Sequence, residues 1–592
     1  MVTANTTSAS ESGNPDERDI SEYTLKELSA AQQNATDYET WRKFSRAIDH
    51  ATGQDEWKLK KESPVYDYEE IQKKLDDLRD ARLANNVDKL IYLVRTTFSR
   101  NIGNMGDTRL YTHCQCGTKQ LIEDYISECE LALQHIVKNT TDPEKVLETL
   151  VETKKAFGNT ALVLSGGSIM GFLHAGVARE LLDNGLLPRI ISGTSAGSIF
   201  ASLICIHRDE DFDKLWEIAK IPLSIFEPIG QAESFATRLK RFLTVGTWID
   251  SKFLRLMMQE LLGDITFQEA YNRTGRILNV SVSVKGSHDM PRLLNYLTAP
   301  NVLIWSAVVC SCSVPYVFAA DSVLAIDPVS RKLFPWTQAS FMDGSVDNDM
   351  PLGRLTEMFN VNHFVACQVN PHIAPLIPRP SISPEQKLPK RGWLNSKINA
   401  ACRSASSFFM DELEYTLSIL KVAGIGGSPV NLMLKIILQD YYGDVTMVPP
   451  IYLKDWQGLL NNPTQEQVDE MIERGARTTW PQLAIIRNHC AVELALDRAV
   501  VELRAQCIRT IARLASPVPP TLPTYEYEYE DHDTITDDDE TSDSSFSAET
   551  KPRRPARRFL RSNSVSAPWT IEKEDFDLPK HTSPRAIKLH EA

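Results

Sequence analysis

Residues 189–206 read RIISGTSAGSIFASLICI and contain a short apolar run, a glycine turn and the start of a helix. The run at residues 189–192 is too short for a helix and predicts a buried strand, whereas residues 198–206 have helical spacing. Between them, Gly193-Thr194-Ser195-Ala196-Gly197 has the form G-x-S-x-G. Its glycines allow a sharp turn, and the following helix start directs free N–H groups toward Ser195. The stretch predicts a nucleophile elbow, although such a string by itself also fits an ordinary strand–helix turn.

A second glycine turn, residues 166–171 (GGSIMG), also lies between a short apolar run, residues 161–164, and a helical pattern, residues 172–183. Consecutive glycines at a helix start expose N–H groups to an anion, which in acyl transfer is the tetrahedral oxyanion. A dinucleotide fingerprint would need glycine at position 168, and a Walker A loop would need Gly-Lys-Ser/Thr. A purely structural turn is the remaining alternative. The candidate oxyanion residues are Gly166, Gly167, Ser168 and Gly171.

The candidate base is Asp343, in the sequence FMDGS at residues 341–345. An attacking serine needs a group that takes its proton, and histidine is the usual one. The histidines that qualify by position, none of them in a supporting motif, are His174, His207, His288 and His363. A carboxylate can serve instead if it is desolvated and within hydrogen-bonding reach. Because Asp-Gly is also a common turn, Asp343 gains significance only together with the two glycine turns.

The order of these elements predicts the fold class. Strand-like runs at residues 278–284 and 363–368 follow those described above, and helical patterns alternate with them. Strands that alternate with helices indicate a mostly parallel sheet covered on both faces, with right-handed crossovers. We therefore expect an α/β fold preceded by a helical N-terminal region.

Composition and spacing divide the chain into segments. Residues 68–85, 87–98 and 118–137 place apolar residues at helical spacing, and glycine is scarce around them. Beyond residue 516 the chain is first proline-rich, then acidic and then basic. We expect disorder in residues 1–20, a helical N-terminal module in 21–155, a catalytic domain in 159–355, a mixed and helical extension in 356–516, and a disordered, acidic then basic tail in 517–592.

The formal net charge of −14 is unevenly distributed. Residues 525–550 contain eleven acidic and no basic residues, so the chain without this acidic block carries a formal charge of only about −3. Residues 551–561 contain six basic and no acidic residues. The basic run is short and adjoins the acidic one. This pattern argues against a nucleic-acid partner.

Compartment and membrane topology can also be predicted. The ten cysteines lack the spacing of a disulfide framework, and residues 1–14 lack the apolar core of a secretory signal, so we expect an intracellular protein. His113, Cys114 and Cys116 have no second pair of ligands nearby, and no metal is expected there. Residues 302–320 are uncharged and long enough to span a membrane, but their serines, cysteines and proline favour a buried helix.

Taken together, the glycine loop, the G-x-S-x-G sequence and the downstream Asp-Gly resemble the patatin-like phospholipase family. The resemblance implies a three-layer α/β/α domain and a catalytic dyad of Ser195 and Asp343 that works without histidine, metal or cofactor. It also implies that the oxyanion N–H groups belong to Gly166, Gly167 and Ser168. Ser168 stands where the family usually has its middle glycine, and Met170 stands where many members have a basic residue.

Further segments resemble the subgroup of yeast, fungal and plant triacylglycerol lipases. They are residues 41–68, 305–307, 315–318, 343–370 and 443–446. The resemblance covers roughly residues 40–450 and implies an acylglycerol lipase that acts at a lipid droplet or another membrane surface. It leaves a phospholipase or a lysophospholipid acyltransferase, working on the same dyad, as the alternative.

Three sequence features concern lipid chemistry. An acyl chain needs an apolar groove, which residues 302–318 and the helix after Ser195 could line. Residues 415–438 are apolar with few charges and could lie on a lipid surface or form a pair of core helices. Acyl transfer to lysophospholipids is often linked to an H-x4-D string, which occurs as His50…Asp55 and His532…Asp537.

Overall fold

The computed structural model describes residues 23–212, 226, 234–284, 292–346, 349–371, 373, 412, 415–416, 419, 439, 441–459 and 461–515. Several predictions concern residues outside these ranges. They are those for residues 1–20, residues 517–592, most of residues 415–438, His288 and the string His532…Asp537.

The described part of the chain begins with a helical region. Its helices are α1 (Leu25–Gln33), α2 (Tyr38–Ala51), α3 (Gln54–Leu59), α4 (Tyr68–Leu83), α5 (Val87–Thr97), α6 (Gln120–Asn139) and α7 (Pro143–Phe157). Side chains at several helix starts accept hydrogen bonds from first-turn N–H groups, as at Asp37, Asp67 and Asn86. The prediction of a helical N-terminal region is confirmed.

A mostly parallel sheet follows. The strands are β1 (Asn159–Leu164), β2 (Ile190–Gly193), β3 (Ile277–Val284), β4 (Arg292–Leu294), β5 (Leu324–Ile326), β6 (Leu333–Pro335), β7 (Phe341–Asp343), β8 (Val361–Cys367) and β9 (Val445–Met447). The main sheet has the order β4-β3-β2-β1-β8-β9, with β7 also paired to β3, while β5 and β6 pair separately. Within the main sheet β3 pairs antiparallel with β4 and β7, and the other pairs are parallel.

Helices alternate with these strands and continue after them. They are α8 (Phe172–Asp183), α9 (Ala196–Ile206), α10 (Phe235–Val245), α11 (Ser251–Leu262), α12 (Phe267–Thr274), α13 (Ile304–Ser311), α14 (Leu352–Phe359), α15 (Leu453–Gln457), α16 (Gln465–Thr479) and α17 (Leu483–Ala515). A short 3-10 helix, Ser168–Gly171, precedes α8.

The central strand β1 contributes to two separate cores because its side chains alternate between the faces of the sheet. Leu162 and Leu164 pack in the cluster that contains Phe200 of α9. Ala161 and Val163 pack in a second cluster, with Leu355 of α14. Helices therefore cover both faces of the sheet, and the predicted α/β class is confirmed.

Strand register places the sequence motifs close together. Leu164 at the end of β1 lies opposite Gly193 at the end of β2, so the two glycine turns leave the sheet at the same edge. On the far side of β2, strand β3 pairs with β7, where Asp343 lies opposite Val282. Strands β8 and β9 come from residues after 355, so the sheet continues into the segment expected to form a C-terminal extension.

The apolar stretch at residues 302–320 contains a buried helix. Helix α13 covers Ile304–Ser311 and ends before Pro315, and each of its residues is buried. No helix in the described ranges is both long enough and apolar enough to cross a bilayer. Residues 302–313 therefore belong to the protein core, as the sequence favours for this stretch, whereas Val314 and Tyr316 are exposed.

Helices α8 and α16 cross with their backbones almost in contact. A Cβ atom at Gly176 would lie 1.9 Å from the carbonyl oxygen of Ile472, and one at Gly475 would lie 2.1 Å from the carbonyl oxygen of Leu173. Real atoms do not approach so closely, so only glycine fits at either position. This crossing attaches the C-terminal helices to the helix that follows the glycine loop.

We predict that Gly475→Ala lowers the free energy of unfolding by at least about 1–3 kcal/mol, because the added methyl group forces the two helices apart. Gly353→Ala in α14 is the matched control, since nothing lies within 4 Å of the added Cβ atom. The control should be neutral or stabilising by up to ~1 kcal/mol. Urea unfolding measures both, and equal stability of the two variants would contradict the close crossing.

Candidate active site

Ser195 lies at the turn between β2 and α9 in a strained backbone conformation. Its φ is 51° and its ψ is −127°, values that a residue with a side chain adopts at a cost of about 1–3 kcal/mol. A Cβ atom at Gly193 would lie 2.3 Å from the carbonyl oxygen of Gly197, and one at Gly197 would lie 2.3 Å from that of Leu164. The turn is too tight for side chains on either flank. It has the geometry of a nucleophile elbow.

Hydrogen bonds fix the backbone of this serine. The Ser195 N–H donates to Ser311 Oγ at 3.0 Å, and the Ser311 hydroxyl donates to the Ser281 carbonyl oxygen at 2.7 Å. The next N–H, that of Ala196, is the first of α9 and donates to no other described residue. Sequence reasoning did not single out Ala196, although a donor directly after a nucleophile is a usual part of an oxyanion hole.

Asp343 is fully buried at the end of β7. Its Oδ1 atom accepts hydrogen bonds from the N–H (2.8 Å) and the hydroxyl (2.7 Å) of Ser345. Its Oδ2 atom has no hydrogen-bond partner within the described part of the chain. Burial raises the pKa of Asp343 to about 6, and the hydroxyl groups of Ser345 and Ser195 partly oppose this effect. The carboxyl group is therefore close to Ser195 and keeps one oxygen free to accept a proton.

Three of the four histidines proposed from their position are described by the structure, and each of them contacts groups other than Ser195. His174 is fully buried and contacts the Ser165 carbonyl oxygen through Nε2 at 2.9 Å, and burial lowers its pKa to about 4. His363 pairs with His489, Nε2 to Nδ1, at 2.9 Å. His207 contacts the carbonyl oxygen of Leu203. No histidine of the described ranges lines the cavity that Ser195 and Asp343 share.

Two of the residues predicted to form the oxyanion hole make other contacts. The N–H of Gly166 donates to Asp349 Oδ1 at 2.8 Å, so it is not free to bind an oxyanion. At Gly171 an added Cβ atom would lie 2.8 Å from Cβ of Ala196, so this glycine lets α9 approach the loop. The Gly166 N–H is therefore engaged elsewhere, whereas Gly171 permits the close approach of α9 and its place in the oxyanion hole stays a prediction.

The other two predicted residues have free donors. The N–H groups of Gly167 and Ser168 donate to no other described residue. Ser168 has a φ of 55°, the left-handed region in which glycine is most at ease. Its hydroxyl donates to the carbonyl oxygen of Leu459. Ser168 therefore adopts a backbone conformation that glycine would favour.

Asp349 is a buried residue of the site that sequence reasoning missed. Besides Gly166, its carboxylate accepts from the side-chain amides of Asn370 at 2.6 Å and Gln368 at 3.4 Å. Its carbonyl oxygen accepts from the Thr194 hydroxyl at 2.7 Å. Asp349 thus joins the glycine loop, the elbow and the end of β8. No spacing rule identifies it, because its partners are distant in sequence.

Burial raises the pKa of Asp349 to about 7, and the nearby charge of Asp343 adds to this effect. The hydrogen bonds from Gly166, Gln368 and Asn370 act in the opposite direction. Two buried carboxyl groups therefore influence each other below the glycine loop. Asp349 accepts hydrogen bonds on both carboxylate oxygens, whereas Asp343 accepts them from described residues on Oδ1 alone.

An apolar cavity of about 330 Å³ opens over Ser195. Among its lining residues are Gly167, Ser168, Ser195, Asp343 and the apolar side chains of Ile199, Phe200, Phe226, Leu254, Val314, Val317 and Phe318. The sequence predicted that residues 302–318 and the helix after Ser195 could line an acyl groove, and both contribute to this cavity. A few polar groups in an apolar pocket are typical of a small-molecule site.

Two family models match the chain. Residues 20–156 match a domain of unknown function, DUF3336, and residues 162–356 match the patatin-like phospholipase model. The second match includes both glycine turns and Asp343.

Known relatives are similar over most of the chain. Triacylglycerol lipase 4 of Saccharomyces cerevisiae is 41% identical over 502 residues, which cover 83% of this chain and 55% of that protein. Triacylglycerol lipase 5 of the same yeast is 37% identical, with coverages of 82% and 66%. Triacylglycerol lipase ptl3 of Schizosaccharomyces pombe is 38% identical, with coverages of 81% and 98%. The chain thus spans little more than half the length of the first relative and nearly all of the third.

We predict that Asp349→Asn reduces the pH dependence of stability. Because burial raises the folded-state pKa of Asp349 to about 7, the folded chain binds this proton more tightly than the unfolded chain, whose carboxyl group has a pKa near ~4. The resulting stabilisation is complete below the unfolded pKa and is lost as the pH rises through about 7.

Urea unfolding at acidic and mildly alkaline pH tests this prediction. The difference in unfolding free energy between the two conditions should be smaller in the Asn variant than in the parent protein. Asp88→Asn, at an exposed aspartate in α5, is the control and should keep the parent behaviour. If Asp349→Asn kept it too, this carboxyl group would not be buried as described.

Proposed function

The chain belongs to the patatin-like phospholipase family, and from this premise we propose that it is an acylglycerol lipase working through Ser195 and Asp343. One observation carries the proposal: the strained serine and a buried carboxyl group with a free oxygen line the same apolar cavity. The relatives above, each called a triacylglycerol lipase, support a neutral lipid ester as substrate.

The first step forms an acyl-enzyme. The Ser195 hydroxyl oxygen attacks the ester carbonyl carbon, and its proton passes to Oδ2 of Asp343. The carbonyl oxygen becomes an oxyanion, which the N–H groups of Gly167, Ser168 and Ala196 stabilise. When the intermediate collapses, the bond to the alcohol breaks, and the leaving alcohol takes the proton from Asp343.

The second step releases the fatty acid. A water molecule attacks the acyl carbon and gives a proton to Asp343, with the oxyanion again held by the loop N–H groups. Collapse breaks the bond to Ser195, whose oxygen recovers the proton. The cycle returns both side chains to their starting states and uses no cofactor.

The environment of Asp343 suits this role. A pKa of about 6 makes it a stronger base than an exposed aspartate while leaving it mostly ionised near neutral pH. Oδ1 is held by Ser345, so the carboxylate cannot rotate freely. The unpaired Oδ2 is then the oxygen that exchanges the proton.

An acyltransferase on the same dyad is the alternative reaction. A lysolipid alcohol would replace water in the second step and accept the acyl group from Ser195. His50 and Asp55 of the H-x4-D string lie 2.9 Å apart, Nδ1 to Oδ2, but they are exposed and do not line the Ser195 cavity. The transfer would therefore depend on Ser195 and not on this pair.

Substrate profiling separates these reactions. The purified chain is incubated with triolein, with phosphatidylcholine, and with lysophosphatidylcholine plus an acyl-CoA. We propose fatty acid release from triolein at a lipid-droplet or membrane surface inside the cell as the main activity. If product forms only from phosphatidylcholine or from lysophosphatidylcholine plus acyl-CoA, the phospholipase or acyltransferase reaction would be favoured instead.

Ser195→Ala is predicted to lower hydrolysis of every ester substrate by about 10⁴-fold or more, because no other group can form the acyl-enzyme. Ser202→Ala is the matched control. Ser202 is also buried in α9, and its hydroxyl has no hydrogen-bond partner in the described structure. Release of fatty acid is measured by titration, and the control should keep the parent rate. An unchanged rate in Ser195→Ala would disprove the dyad.

The pH profile should report the ionisation of Asp343. Because its pKa lies near 6 and only the carboxylate accepts a proton, the rate should fall about tenfold per pH unit below that value. Asp343→Asn should lower the rate by roughly 10²–10⁴-fold and remove this fall in rate at low pH. Asp349→Asn should keep the fall in rate at low pH, and this difference distinguishes the two carboxyl groups. A profile that is flat between pH 5 and pH 7 would refute the assignment of the base.

A further inference from the structure

A group of exposed apolar side chains lies beside the cavity. We call it the rim patch: Leu239, Phe242, Leu243 and Val245 of α10, with Val314 and Tyr316 of the loop after α13. These side chains are between 37% and 76% exposed. Leu239, Phe242 and Leu243 follow helical spacing of three and four residues, so they form one face of α10. Exposed apolar groups gathered in one place indicate an interaction site.

The two parts of the rim patch are joined by direct contacts. The N–H of Trp248 donates to the Tyr316 carbonyl oxygen at 2.9 Å, and the N–H of Ile249 donates to that of Val317 at 2.8 Å. The Phe242 and Trp248 rings pack edge to face, with centroids 5.7 Å apart. Helix α10 is therefore held next to the loop after α13.

The rim patch is continuous with the cavity over Ser195. Val314 belongs to both, and the next cavity residues along the chain are Pro315, Val317 and Phe318. Leu254 of helix α11 also lines the cavity. An apolar path thus leads from the protein surface to the nucleophile.

Charge and conformation around the patch suit a membrane interface. Lys240 is exposed on α10 among the residues of the patch, and a lysine at the edge of an apolar face favours anionic head groups. Tyr316 has a φ of 68°, a costly value for a residue with a side chain. It is 57% exposed, and tyrosine is a residue that proteins place at membrane interfaces.

We propose that the rim patch is the surface by which this protein docks on a lipid monolayer or bilayer, and that an acyl chain passes through it to Ser195. The proposal rests on the proposed lipase function. A lipid surface fits because the path ends in a cavity that an acyl chain has to enter without crossing water. A second copy of the chain would instead block the same entrance.

Vesicle flotation with the full chain tests the docking surface. The vesicles are phosphatidylcholine with and without phosphatidylserine, and the Ser195→Ala background prevents turnover during the measurement. The double variant Leu239→Gln, Leu243→Gln should bind about tenfold more weakly, since it removes two leucines from the apolar face. The matched control is Leu59→Gln, Leu83→Gln, which replaces two exposed leucines of the N-terminal helical region and should bind as the parent does.

Activity measurements distinguish this proposal from the proposed function. In the active background, the rim variant should lose hydrolysis of a triolein emulsion but keep that of a soluble short-chain ester. If the parent protein hydrolyses neither substrate but binds vesicles through the rim patch, the proposed lipase function would be refuted and the proposed docking surface would be supported. Equal vesicle binding by the rim variant and the parent would overturn the surface, as would a dimer in sedimentation that the rim substitutions dissociate.

Discussion

The parallel pairing of β1 with its two neighbours is the interaction on which the site depends. Leu164 ends β1 opposite Gly193 of β2 and Cys367 of β8, so three connecting segments leave one edge of the sheet together. They contain the glycine loop, the serine turn and the Gln368–Asn370 segment. A shift of one residue in either pairing would turn every side chain of the strand to the opposite face. The core therefore fixes the register, and the register fixes the distances within the site.

The site contains two buried carboxyl groups, Asp343 and Asp349, and their hydrogen-bond partners differ. Asp349 is surrounded by donors from Gly166, Gln368 and Asn370, as a buried acid requires. Asp343 receives donors on one oxygen, and its other oxygen has no hydrogen-bond partner among the described residues. A buried acceptor without a partner costs free energy and is most often found where function requires it. The difference between the two environments agrees with the proposal that Asp343 is the base and Asp349 a structural residue.

Apolar contacts connect the proposed catalytic site with the proposed lipid-docking surface. The cavity walls come from α9, from the end of α13 and from the loop that follows it, and this loop is bonded to the segment after α10. The sheet thus positions the reacting groups, whereas the helices outside it determine what can reach them. This separation allows the rim patch to be changed without disturbing Ser195 or Asp343.

The sequence by itself determined the local structure. Short apolar runs predicted the strands β1, β2, β3 and β8 but not the other five strands of the described residues. Three- and four-residue spacing predicted helices such as α8, whose bounds at Phe172–Asp183 agree with the pattern. The G-x-S-x-G string predicted a tight turn at Ser195, because glycine spacing is a property of neighbouring residues. The resemblance to patatin-like phospholipases added Asp343, which no local pattern distinguished from an ordinary turn.

Only the tertiary structure decided which groups meet. It assigned the Gly166 N–H to Asp349, left the N–H groups of Gly167, Ser168 and Ala196 without a partner among the described residues, and paired β8 with β1 and with β9. The tertiary structure also brings α10 and the distant loop after α13 together to form the rim patch. The physical reason is that helices and strands follow from periodicity over a few residues. Hydrogen bonds between distant segments depend instead on strand register and burial, which no short stretch of sequence contains.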